Sequence, residues 1–231
     1  MKMRMRMSMK RRRNLLLLLG LAVLLVWSWS VFGREADSMP GRTEVIRSDQ
    51  GSGIELPLDE LAPLRAYLEG EGAAEEELER TAFSEIETGE TDRLGVVKYG
   101  CGNKSCSLLL VRSGDSGTSS IELPRGLYVD SRVDRGRILL RLAYPEGNRV
   151  VRHLILPIDY RTMTMLSYGD EGDQRQLLSS PAWPVMDYGW DGTDRIWIET
   201  AAADIGDYEE LEQWFANENR ELRIRKLHLH F

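Results

Sequence analysis

The pattern of apolar and polar positions divides the chain into stretches of different period. From Leu15 to Phe32 it reads LLLLLGLAVLLVWSWSVF, eighteen residues without a charge. As a helix this run would be about 27 Å long, close to the roughly 30 Å hydrocarbon layer of a bilayer. Residues 14–33 are therefore expected to form a transmembrane signal anchor, with residues 1–13 as a basic cytoplasmic segment. Residues 34–53 have few apolar positions and no sustained period, which predicts a flexible tether. From Leu58 the period changes, and Leu58, Leu61, Leu64, Tyr67 and Leu68 recur at spacings of three and four. That spacing predicts an amphipathic helix, with Asp59 as cap, Gly70 as terminator and Pro63 tolerated in the first turn. Ala73 to Phe83 predicts a second helix whose glutamates face solvent.

After Thr91 the chain becomes strand-like, with β-branched and aromatic residues in short runs between turn residues. Strands are predicted over Leu94–Tyr99, Ser107–Arg112, Ser119–Leu123, Arg137–Tyr144, Arg149–Leu156, Thr162–Leu166, Arg195–Thr200 and Leu222–Phe231. Short polar loops such as Ser113–Gly117 and Pro145–Asn148 join neighbouring runs as antiparallel hairpins. One helix interrupts, where Asp207 and Glu210 form a capping box and Tyr208, Leu211, Trp214 and Phe215 share a face that should pack on the sheet. In the last strand Leu222 and Ile224 are out of phase with Leu227, Leu229 and Phe231. A bulge at Arg225-Lys226 would put all five on the buried face.

The expected fold is α+β: the N-terminal membrane helix, then a mainly antiparallel β-meander domain over 54–231 with two or three short helices. A partial propeller and a sandwich both remain open as arrangements. Ser180-Pro181-Ala182-Trp183, followed by Trp190-Asp191-Gly192 ahead of a strand, is similar to a blade of a TolB-type β-propeller. At most three blade-sized units fit between 92 and 231, so the resemblance implies a local architecture and no function.

Charge refines the picture. The 231 residues carry a formal net charge of −7, but residues 1–33 hold seven basic residues (Lys2, Arg4, Arg6, Lys10, Arg11, Arg12, Arg13) and no acidic one. The remainder has 23 basic against 37 acidic residues, a net of −14. An acidic body excludes a nucleic-acid binder of the usual kind. Basic residues collected ahead of an apolar run keep the N-terminus cytoplasmic, and Trp27 and Trp29 suit the far headgroup layer. The alternative is a cleaved signal peptide, with cleavage sites at Ser28-Trp29-Ser30 or Val31-Phe32-Gly33 and a secreted product. In either case the residues after about 34 are exported.

Cys101 and Cys106 are the only cysteines. At the two ends of a short turn in an exported chain they should form a disulfide. A zinc site of Cys101, Cys106, His228 and His230 is the weaker rival, because it needs reduced thiols outside the cell. Gly114-Asp115-Ser116-Gly117 is similar to the GDSGG nucleophile motif of chymotrypsin-like proteases. The fifth residue is Thr118, however, and every histidine (His153, His228, His230) follows the serine, so a polar hairpin turn is the better reading. His153 reads as a surface or edge residue without a chemical role. The acidic groups Asp170, Glu171 and Asp173, and Asp187, Asp191 and Asp194, lack EF-hand spacing and read as solvated turns. No catalytic residue, metal or cofactor is expected.

The tryptophans beyond the membrane segment, Trp183, Trp190, Trp197 and Trp214, lie within 32 residues of one another. Trp197 and Trp214 are expected in the core. Trp183, Tyr188 and Trp190, with Asp187, Asp191 and Asp194, form a candidate ligand-binding loop that stacks sugars and bonds hydroxyls. The expected function is a single-pass, membrane-anchored extracytoplasmic domain that binds or scaffolds an unidentified ligand, a protein or a cell-wall glycan, without catalysis, and touches membrane lipid through residues 14–33. The alternatives are a cell-wall glycan-binding module using that aromatic loop, and a secreted hydrolase with an unidentified site.

Overall fold

The computed structural model describes residues 43–48, 53–70, 74–168 and 180–230. The membrane segment 14–33, the acidic group Asp170, Glu171 and Asp173, and Phe231 lie outside the described residues. Among the described residues no helix is long and apolar enough to cross a membrane.

Thirteen strands dominate the described chain: β1 (Thr43–Ser48), β2 (Gly53–Pro57), β3 (Ala82–Ile86), β4 (Arg93–Tyr99), β5 (Cys106–Gly114), β6 (Gly117–Asp134), β7 (Arg137–Glu146), β8 (Val150–Asp159), β9 (Thr164–Met165), β10 (Ser167–Tyr168), β11 (Val185–Trp190), β12 (Arg195–Ala201) and β13 (Leu222–His230). A 3-10 turn (Leu58–Glu60) and three short helices, α1 (Ala62–Gly70), α2 (Ala74–Arg80) and α3 (Tyr208–Ala216), complete them. The expected α+β class is therefore corrected to a mostly β fold. Strand appears where the sequence reading placed tether, helix or loop: β1 and β2 lie within or overlap 34–53, β3 takes over where the second helix was expected to continue, and β11 falls in the aromatic loop.

Nine strands are hydrogen-bonded in the order β2-β1-β3-β4-β5-β6-β7-β8-β9, with only β1 and β3 parallel. The eighteen-residue β6 makes the junction. Its first half, to Gly126, pairs with β5, and its second half, from Leu127, pairs with β7. The two halves of the array face each other across one core, where Leu94, Val96, Leu108 and Leu110 meet Ile138, Leu140, Leu142, Leu154 and Leu156. Because side chains alternate along a strand, the next positions fill different layers. Val97, Tyr99, Leu109 and Val111 pack under α1 through Leu64 and Leu68. Leu139 and Ile155 pack against the second sheet, whose order is β10-β13-β12-β11. Strands buried on both faces read as continuous apolar runs, which is why Leu108–Val111 shows no alternation. Burying each leucine of that run contributes about 2 kcal/mol.

Ion pairs bolt the layers at the ends. Glu90, ahead of β4, accepts from Tyr160 Oη at 3.2 Å and Arg161 Nη2 at 2.8 Å, and Arg112 Nη1 donates to the Arg161 carbonyl at 2.7 Å. At the opposite end the Cys101–Cys106 disulfide is formed, with Cα atoms 4.0 Å apart.

Three local expectations are corrected. Strand β13 pairs with β12 in unbroken register from Leu222 to His228, with no bulge at Arg225-Lys226. Leu222 and Ile224 therefore stay on the solvent side, 44% and 64% exposed, while Arg223 and Arg225 lie on the inner face with Leu227 and Leu229. The expected strand Thr162–Leu166 contracts to two residues, because Met163 adopts a left-handed turn conformation (φ 52°). Asp207 caps α3 by accepting from the Glu209 and Glu210 amides, but Glu210 does not return the bond to it. The Glu210 carboxylate instead takes the Asp204 N–H at 2.9 Å.

Candidate functional site

The polar residues that do not fit the layered core converge on one seam, where β11 lies against β6, β7 and β8. Alternation along β7 sends Ile138, Leu140 and Leu142 into the central core, so Arg141 must enter the next layer beside Leu139 and Ala143. A guanidinium there needs partners, because an unpaired buried charge costs several kcal/mol. Two irregularities supply them. Strand β6 shifts register between Tyr128 and Asp130, and Asp130 binds Arg141 in bidentate fashion at 2.9 and 2.6 Å. Strand β11 shifts register between Val185 and Asp187, and the Val185 and Met186 carbonyls both accept from Arg141 Nη1, at 3.0 and 3.2 Å.

Tyr188 completes the cluster. It is 1% exposed, lies under Arg132 and Arg141 at 5.3 and 5.2 Å, and donates its hydroxyl to Asp130 at 2.7 Å. Burial, reinforced by that bond to a carboxylate, pushes the phenol far above its ordinary range. His153 is half-buried on the free side of β8, where its backbone N–H donates to the Trp183 carbonyl at 2.7 Å and its Nδ1 accepts the Val185 N–H at 3.0 Å. Burial, and secondarily the Arg141 charge, lower its pKa to about 4. The expectation of a surface or edge residue without a role is thus changed: His153 is partly buried and ties β11 to β8. Together with Arg141 it occupies the outward groups of β11, which an open sheet edge would present to other chains.

Arg137 and Arg152 extend the seam in both directions. Arg137 pairs with Asp134 at 2.6 Å, donates to the Thr193 carbonyl, and covers the Trp190 ring at 4.3 Å. Arg152 pairs with Glu146 at 2.6 Å and donates to the carbonyls of Ala182 and Ile205, both at 2.8 Å.

The residues expected to form a sugar-stacking loop are all found on or beside this second sheet, but not as a row of open rings. Trp183 is 4% exposed and lies beneath Arg225 and Arg223, at 3.9 and 5.5 Å. Tyr188 is buried, and Trp190 is half-buried with its indole N–H on the Arg132 carbonyl at 3.2 Å. Asp187 lies 3.6 Å from Arg132. Asp191 is held 3.0 Å from Lys226, which keeps its carboxyl below the ordinary range. Asp194 is exposed, and its carbonyl accepts the Leu229 N–H at 2.6 Å.

Trp197, expected in the core, lies instead on the outer face of the second sheet, across from Gly189, where a Cβ would come 2.9 Å from the indole nitrogen. Ile224 and Lys226 share that face on β13. Among the described residues no three His, Cys, Asp or Glu side chains are grouped to hold a metal ion, and the disulfide removes both thiols from the alternative zinc set.

The sequence reading missed Arg141, Asp130, Arg132 and Arg137. One signal was available: Arg141 interrupts the apolar run Ile138–Ala143, and a charge inside such a run implies a buried partner. Chemically the seam works as a joint. Its tyrosine is driven away from ionisation, and its histidine lone pair already holds an amide proton.

No protein-family model matches the chain, and neither the curated proteins nor the solved structures give a match.

Proposed function

We propose that the chain is a membrane-anchored extracytoplasmic protein whose folded domain binds or scaffolds a protein partner. The observation that carries this reading is the solvent-side face of β11–β13. There Ile224, Leu222 and the half-buried Trp197 stand on a sheet whose inner side is clamped to the rest of the domain by the Arg141 seam. A sheet face presenting aliphatic and aromatic side chains beside Lys226 and Glu199, the cross-strand neighbours of Trp197 and Ile224, suits protein recognition. The Cys101–Cys106 disulfide supports an oxidising compartment. The basic segment ahead of residues 14–33 supports an N-in orientation.

Two measurements test the proposal on the full chain. Alkaline carbonate should leave the protein in the membrane pellet, and external protease on intact spheroplasts should remove the domain; recovery in the soluble fraction or full protection overturns the anchoring. A photo-crosslinker in place of Ile224 should give a discrete protein adduct that is lost in a Trp197→Ala background. Absence of an adduct overturns the choice of face.

A further inference from the structure

A groove at the C-terminal end of α3 is a feature that the seam and the outer sheet face do not use. Its volume is about 350 Å³, within the range of small-ligand sites. One wall is a stripe on the helix: Glu210, Gln213 and Asn217 follow at i, i+3 and i+7 and so project on one side. The facing wall is Asn219 and Glu221, from the segment leading into β13. The floor is low because Ala203 and Ala202 have only methyl side chains, with the edge of Trp214 between the walls.

The walls are held by the backbone. The Glu221 carbonyl accepts both the Trp214 indole N–H at 2.7 Å and the Ala202 N–H at 3.1 Å. The Asn217 side-chain oxygen accepts the Asn219 N–H at 2.9 Å, and one Glu210 oxygen is held by the Asp204 amide. The groove is therefore lined by two carboxylates, which accept, and by amides, which both donate and accept. Trp214 is 8% exposed, with Arg220 over its ring at 5.0 Å and Phe215 edge-on at 5.0 Å, so it offers a narrow apolar edge and no open ring face.

We propose that this groove binds a neutral saccharide. Hydroxyl groups both donate and accept, so a sugar matches a lining of carboxylates and amides, while a lining poor in apolar surface disfavours a greasy ligand. Open walls and the absence of a stacking face set the affinity in the millimolar range, about 1 mM. The site differs from the aromatic loop around Trp183–Trp190 and does not depend on how the chain is held at a membrane.

The test uses the full chain in zwitterionic micelles, free of sugar detergents, with the indole N–H resonance of Trp214 followed by NMR. A tetramer of β-1,4-linked N-acetylglucosamine should shift that resonance in a saturable way. Gln213→Ala and Asn219→Ala, neither of them a core position, should each weaken binding by about fivefold, the loss of one hydrogen bond, with unchanged melting temperatures. The proposal is overturned by no shift up to about 20 mM sugar, by equal binding in both variants and the wild type, or by a shift with spermidine but none with the sugar.

Discussion

The Tyr188 hydroxyl donates to Asp130 Oδ1 at 2.7 Å, and the same carboxylate takes the bidentate fork of Arg141. One acid from β6 thus holds a base from β7 and a phenol from β11. Removing the base and removing the phenol should differ in cost. Tyr188→Phe loses one charge-assisted bond and should lower stability by about 1–2 kcal/mol. Arg141→Met leaves Asp130 without its cation and the Val185 and Met186 carbonyls without their shared donor, and should cost about 3 kcal/mol. Urea melts of the two variants check the order, which fails if Tyr188→Phe is the worse.

His153 gives the seam a pH signature. Its folded pKa is about 4, against an unfolded value near 6.5, so between those values the unfolded chain binds more protons. Stability is then fully present above about pH 6.5 and falls as pH drops toward 4, by on the order of 2–3 kcal/mol. His153→Gln keeps an acceptor for the Val185 N–H without titrating. Melting temperature against pH should flatten over that window in the variant; an unchanged slope would mean that His153 is not the group responsible.

The disulfide is a local staple. Closing a six-residue loop is worth about 2 kcal/mol, which in a domain of this size is roughly 4–8 °C in Tm. Cys101→Ser is the cleaner probe, because Cys101 is exposed whereas Cys106 lies in the central core. Thermal melts should show a loss of that size, and maleimide should label the wild-type protein only after reduction.

The unbroken register of β13 separates neighbouring apolar residues. Ile224→Asp, on the solvent face, should change stability by no more than about 0.5 kcal/mol. Leu227→Asp, 5% exposed against Ile196 and Ile198, buries a charge and should unfold the second sheet. Expression yield and circular dichroism of the two variants discriminate the observed register from a bulged one, which would make both variants severe.

Much of the strand pattern was legible in the sequence because turns announce themselves: Gly114–Gly117 closes the β5–β6 hairpin, and the turn after Glu146 closes the β7–β8 hairpin. Helix α3 was legible from its cap and apolar stripe. What failed was any inference that equated charge with surface. Arg141, Arg223 and Arg225 lie inward, Arg141 on a carboxylate and two carbonyls, Arg223 and Arg225 over the Trp183 ring. Strands β1 and β2 were invisible because each contributes only one or two core residues, Ile46 from β1 and Ile54 and Leu56 from β2, too few to establish a period. The seam was illegible for a related reason: it assembles Asp130, Arg141, His153 and Tyr188 from four strands, and no spacing along the chain records that they meet.

Strand β1 lies between β2 and β3, antiparallel to one and parallel to the other. It is the first described strand, so any pull arriving along the chain from the N-terminal side reaches it before the rest of the domain. A strand at the rim could be peeled away one hydrogen bond at a time. Strand β1 pairs with β3 only through Arg47 and Ser48, so a pull first strips Thr43–Ile46 from β2 and meets bonds on both sides only when it reaches Arg47. Resistance to tension is therefore concentrated at Arg47 and Ser48, the short stretch by which β1 and β2 are joined to the rest of the sheet.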